Sequence, residues 1–134
     1  MFPLDALTEF RTKWLPHISD SGLIRIAQLL ESGSPFLIHG AFTKAVPMGC
    51  LASHIGWNHP VTCALTDEEA GVRWLTRVAG LNPATSAVIL AWDRSGVHDA
   101  DLRHRLLTAC REEQARRVEE PVVVHDADLQ TCDC

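Results

Sequence analysis

From the N-terminus to residue 121 the chain repeats one pattern: apolar residues three and four apart, opened by a capping residue and closed by glycine or proline. That pattern leaves few folds open, because a stripe recurring every 3.6 residues is buried only along one side of a helix. The clearest start signal is Thr66, followed three residues on by Glu69. This is a capping box, in which hydroxyl and carboxylate serve two orphan amides reciprocally. Asp67 and Glu68 suit the positive end of the helix dipole. Ala70, Trp74, Leu75, Val78 and Ala79 then share a face, and Gly80 ends it.

The same grammar holds elsewhere. Leu4, Leu7, Phe10 and Trp14 form a stripe that Pro16 stops for want of an amide. Ser19 or Asp20 caps a second helix with Leu23, Ile26, Ala27 and Leu30 inward, ended by Gly33 and Pro35. A brief helix is expected between Pro47 and Gly56. Asn82-Pro83 supplies a cap and a first-turn proline for "ATSAVILAW", which is apolar nearly all round and so is expected to lie central and buried. Ser95-Gly96 breaks the chain. Asp99 then caps a last long helix with Leu102, Leu106, Leu107 and Cys110 inward and Arg103, Arg105, Glu112 and Glu113 outward.

These elements predict a mainly α fold: a compact single-domain bundle of five to six short helices over residues 1–121. "PFLIHGAF" is a strand or a buried connector, and residues 36–38 can pair with 122–124 as a minor two-stranded β element. The remainder of 122–134 reads as a mobile acidic tail.

Length and charge narrow the function classes. A chain of 134 residues with 46% apolar and 22% charged content has enough apolar surface for a real core and is not a disordered chain. Its formal charge is −5, and its twelve basic residues are scattered, with only Arg116-Arg117 adjacent. Nucleic-acid binding needs a concentrated basic face, so no nucleic-acid partner is expected. No run is long and apolar enough to span a bilayer, and "MFPLDALTEFRTKW" carries Asp5 and Glu9 where a secretory leader would be uncharged and apolar. A cytosolic location follows as the expectation. Five cysteines at irregular spacing are not a disulfide framework but free thiols or metal ligands. Ten arginines against two lysines suit a GC-rich bacterial genome.

Chemistry concentrates in "GCLASHIGWNHPVTC", Gly49 to Cys63. Cys50, His54, His59 and Cys63 are a donor set that tetrahedral zinc would accept, and Cys50 and His54 lie one helical turn apart. The paired two-residue spacing of zinc knuckles is missing. A second reading makes Cys50 a thiol nucleophile near a helix N-terminus, with His54 or His39 as base and Asp67 or Asn58 as orienter. In a third, Trp57, Asn58 and His59 form an exposed binding loop. Against all three stands a packed turn, in which small buried cysteines and hydrogen-bonded histidines are ordinary, and Trp57 folds back onto the core. The packed turn is the preferred reading.

Elsewhere, Glu68-Glu69 is explained by capping, and His98, Asp99, Asp101 and His104 by a solvated first turn. Cys132 and Cys134 flank an acid in the tail, and no nucleotide-binding motif is present. Apolar stripes on every helix and no catalytic motif point to a small accessory protein that associates with itself or with a protein partner rather than an enzyme. A zinc-stabilised binding domain and a Cys50-dependent enzyme are the alternatives.

Overall fold

In a computed structural model, residues 5–39, 43–45, 48–65 and 67–119 are described. The fold is mainly helical, as the stripes and caps predict. The proposed strand 122–124, the acidic tail with Cys132 and Cys134, the Thr66 cap, Pro47 and Leu4 lie outside the described residues.

Helix α1 (Ala6–Glu9) opens with the Asp5 carboxylate accepting the Thr8 amide at 2.7 Å. It runs on into a π-helical turn, Phe10–Trp14, and then tightens into a 3-10 turn, Leu15–His17, where Pro16 ends it. Helix α2 (Asp20–Ser32) is capped by Ser19, whose Oγ accepts the Gly22 amide at 3.1 Å. It closes on Gly33 in the left-handed region at φ 64°, which a residue without Cβ enters freely.

Two short strands follow, β1 (Thr43–Ala45) and β2 (Met48–Gly49), antiparallel with Thr43 opposite Gly49 and Ala45 opposite Met48. The 36–38 segment does take part in β pairing, but against Gly49. Leu37 bridges Gly49 in parallel sense, with Gly49 N donating to Phe36 O at 2.9 Å and Ile38 N to Gly49 O at 3.0 Å. Trp92 Nε1 pins the same segment from the other side by donating to Ile38 O at 2.8 Å.

Helix α3 (Leu51–Trp57) crosses α4 (Asp67–Arg73) in direct backbone contact. A Cβ on Gly56 would lie 2.3 Å from the Ala70 carbonyl oxygen, so only glycine permits this approach. The α4 run continues as a π-helical turn, Trp74–Ala79, and ends at Gly80 in the left-handed region at φ 70°. Helix α5 (Ala87–Ser95) starts later than the Asn82-Pro83 signal predicts. Asn82 instead holds a turn by accepting the Ala84 amide on its side chain, and Ser86 is the cap, accepting from Ile89 N. Helix α6 (Ala100–Glu119) is antiparallel to α2: Arg103 donates to Leu30 O near the end of α2, and Arg117 pairs with Asp20 at its start.

The core joins Phe10, Trp14, Trp74 and Trp92 with the inward leucines and isoleucines of α2 and α3 and with Leu106 and Cys110 of α6. Trp14 and Trp74 meet in a tilted ring contact with centroids 5.3 Å apart, so the two π-helical turns meet in the core. The expectation that α5 is central and buried holds for one side of the helix only. Val88, Ile89 and Trp92 are buried, whereas Leu90 is 52% exposed. The helix lies at the edge of the bundle, and its outer apolar side faces solvent. Among the described residues no helix is long and apolar enough to cross a membrane.

Candidate functional site

The Gly49–Cys63 stretch folds into β2, α3 and a following turn, and its polar groups are consumed by the fold. Cys50 is the residue before α3 and is 1% exposed. Burial pushes its thiol up to about 11, which Ser53 hydrogen bonding only partly offsets. Its Sγ lies 3.9 Å from Ser53 Oγ. The dipole of a seven-residue helix therefore does not activate this thiol; desolvation wins and the group stays protonated at neutral pH.

His54 is buried, and its Nε2–H donates to the Phe36 carbonyl at 2.8 Å, because a carbonyl can only accept. Its ring stands edge-on to Trp57 at 5.1 Å. Burial, aided by the Arg25 charge, holds its pKa below the usual imidazole range against the opposing Phe36 hydrogen bond. His54 is thus a neutral clip between α3 and the 36–38 segment. His39, the other candidate base, lies in edge-to-face contact with His98 at 5.2 Å. The Asn58 side-chain amide donates to the His54 backbone carbonyl at 2.8 Å, while the Asn58 backbone carbonyl accepts from Ser19 Oγ at 2.6 Å and Ser21 Oγ at 3.1 Å. Asp67 opens α4. Cys50 Sγ thus faces Ser53, while the His54 ring and the Asn58 side chain are each engaged with a backbone carbonyl.

Nor does the stretch bring four metal donors together. His59 Nδ1 accepts from Val61 N at 3.1 Å, and Cys63 Sγ approaches Pro60 O at 3.9 Å. Burial, then the neighbouring His17, lowers the His59 pKa. Among the described residues no group of three or more His, Cys, Asp or Glu side chains is placed to hold a metal ion. Trp57, expected as an exposed anchor in one reading, folds back: a Cβ on Gly49 would stand 2.8 Å from its ring. Asn58 and His59 are half-buried beside it.

The remaining candidates are dispersed. Asp99 Oδ1 caps α6 by accepting Leu102 N at 3.0 Å, and Asp101 pairs with Arg105 at 2.9 Å. His104 faces a shallow notch of about 210 Å³ with Leu30 and Glu31, away from His98. Glu69 lies 3.7 Å from Arg73 on the surface of α4.

The sequence reading missed Glu9. It is 5% exposed and receives four hydrogen bonds: from Trp14 Nε1 at 3.0 Å, from Ser86 Oγ, from Ala87 N at 2.9 Å and from Val88 N at 3.2 Å. A buried carboxylate thus caps α5 from α1, at the positive end of the helix dipole. Arg117 was noted only for its neighbour Arg116. It joins Glu113 and Asp20 and donates to the Leu15 and Ile18 carbonyls, each at 2.9 Å.

A groove of about 490 Å³ runs between the start of α1, the outer side of α5 and the first turns of α6. Leu7, Ala91 and Leu102 line its apolar part; Arg11, Arg94, Arg105, Asp5, Asp99 and Asp101 form its rim. Leu90 is one turn before Arg94 on α5 and shares its face. Compared with protein-family models, with curated proteins and with solved structures, the chain matches none.

Proposed function

We propose that this protein is a small accessory protein that works by association, and that the outer side of α5 with its adjoining groove is the surface it uses. The supporting observation is Leu90. It is a large apolar side chain 52% exposed, on a helix whose neighbouring outward positions, Ala87 and Ala91, are also apolar and half-buried. Scattered exposed apolar residues are normal, but one on the same helix as Ala91 and Arg94, which line a groove with apolar walls, suits a contact made with another macromolecule. Burial raises the Cys50 thiol and lowers the His54 imidazole, whose Nε2–H is spent on the Phe36 carbonyl, so neither group favours a catalytic reading over association.

Site-specific photo-cross-linking from position 90, in cells that make the protein, tests this. A discrete adduct, identified and then reformed from the purified components, is the expected result. Absence of any adduct from position 90 overturns the proposal, provided that a cross-linker placed at Val118, on the far end of α6, behaves as an unreactive control.

A further inference from the structure

We infer that the occupant of the α5 face is a second copy of this chain, packed about a two-fold axis; this rests on the association reading above. A two-fold contact presents one patch to itself, so the patch must be self-complementary. The groove rim meets that demand with three arginines and three aspartates around an apolar floor. A partner of one dominant charge would meet like charges at half of such a rim, and an anionic surface would meet three carboxylates. A second copy turned by 180° brings guanidinium groups over carboxylates and lays Leu90 against the apolar floor.

The state of each rim group sharpens this. Arg11 is paired with Glu112, and Arg105 with Asp101. Asp5 is engaged within its own copy by the Thr8 amide and hydroxyl, the Leu7 amide and the Arg105 charge, whereas Asp99 gives one carboxylate oxygen to the Leu102 amide and retains a second for another donor. Arg94, exposed on α5, makes no hydrogen bond or ion pair with a described residue. The Arg94 guanidinium and this Asp99 oxygen therefore lie on one groove without being hydrogen-bonded to each other within a single copy. Across a two-fold axis, Arg94 of each copy takes the second carboxylate oxygen of Asp99 of the other.

Sedimentation velocity on the full chain, from low micromolar to near-millimolar concentration, tests the inference. A reversible monomer–dimer equilibrium is expected. Leu90→Glu is expected to raise the dimer dissociation constant roughly thirtyfold, as for loss of a central anchor. Arg94→Asp is expected to raise it about tenfold, with the difference from the parent shrinking at high salt. Both side chains are exposed, so melting curves that match the parent show that the variants fold. Val118→Glu, on an 85% exposed residue far along α6, is expected to leave the equilibrium unchanged. A chain that stays monomeric throughout, or a dimer indifferent to Leu90→Glu and Arg94→Asp, overturns the inference. If a monomeric chain still gives a reconstituted heterologous adduct from position 90, the association reading stands and only the second copy falls; with no adduct, both fall.

Discussion

Four donors converge on the carboxylate of Glu9, two from side chains and two from the first amides of α5. Removing it strands all four in a buried region, and an unmade buried hydrogen bond costs the full desolvation of the donor. Glu9→Ala is therefore expected to lower unfolding stability by about 3 kcal/mol or more, measured by urea titration. Glu9→Gln keeps one acceptor oxygen and is expected to cost less. The two central tryptophans separate the hydrogen bond from the packing. Trp14 donates to Glu9, whereas Trp74 Nε1 is buried and meets no acceptor among the described residues. Trp14→Phe is expected to cost about 1–2 kcal/mol more than Trp74→Phe, since both lose similar volume but only one breaks a charge-assisted bond. Equal losses would remove Glu9 from its role. This keystone is hard to read from sequence because an acid one place before Phe10 reads as the solvent side of a helix; its burial depends on Ser86 and α5, which lie 77 and more residues away.

The α3–α4 crossing is the tightest joint between elements. Gly56 meets the Ala70 carbonyl, and a Cβ on Gly71 would lie 2.9 Å from Ser53 N, so the backbones touch from both sides. Gly56→Ala must push the helices apart and is expected to cost about 2–3 kcal/mol. Gly80→Ala is a useful contrast, because a Cβ there meets nothing within 4 Å and only the left-handed φ of 70° is strained. Its cost is expected at about 1 kcal/mol, largely recovered by Gly80→Asn, which tolerates that region. Chemical melts of the three variants check the order; Gly80→Ala more damaging than Gly56→Ala would refute the close-packed joint. The elements themselves were legible because a cap and a stripe are local. Ser19, Gly33, Gly80 and Asp99 do what their types and positions predict. The start of α5 was misread because Asn82 satisfies a turn with the same hydrogen bond it would give a helix. The depth of α5 was misread because composition reports how apolar a helix is, not how many sides of it are covered. The Cys50–Cys63 spacing had the same defect: one helical turn places two side chains on a face, but whether a third and fourth arrive is set by the turn after α3.

At the scale of the whole molecule, burial of these same groups shapes stability against pH. His54 and His59 both have depressed pKa values in the folded chain, so they bind protons less readily there than when unfolded. As pH falls through about 6.5, the unfolded chain takes up protons that the folded chain refuses, and stability declines. The thiols act at the other end. Burial raises Cys50 to about 11 and Cys110 to about 12 from an ordinary 9.0, so above pH 9 the unfolded chain loses protons first and stability declines again. Each thiol contributes a slope of up to about 1.4 kcal/mol per pH unit until its folded pKa is reached. Unfolding free energy is therefore expected to be highest between about pH 6.5 and 9, falling on both sides. Surface ion pairs such as Glu69 with Arg73 do not produce this shape, being exposed and worth little. His54→Gln keeps a donor for the Phe36 carbonyl without a titrating ring and is expected to flatten the acid limb. Cys50→Ala with Cys110→Ala is expected to flatten the alkaline limb at some cost in packing. Urea titrations of the parent and these variants across the pH range check both limbs, and an alkaline limb that survives loss of both thiols would place its origin elsewhere in the chain.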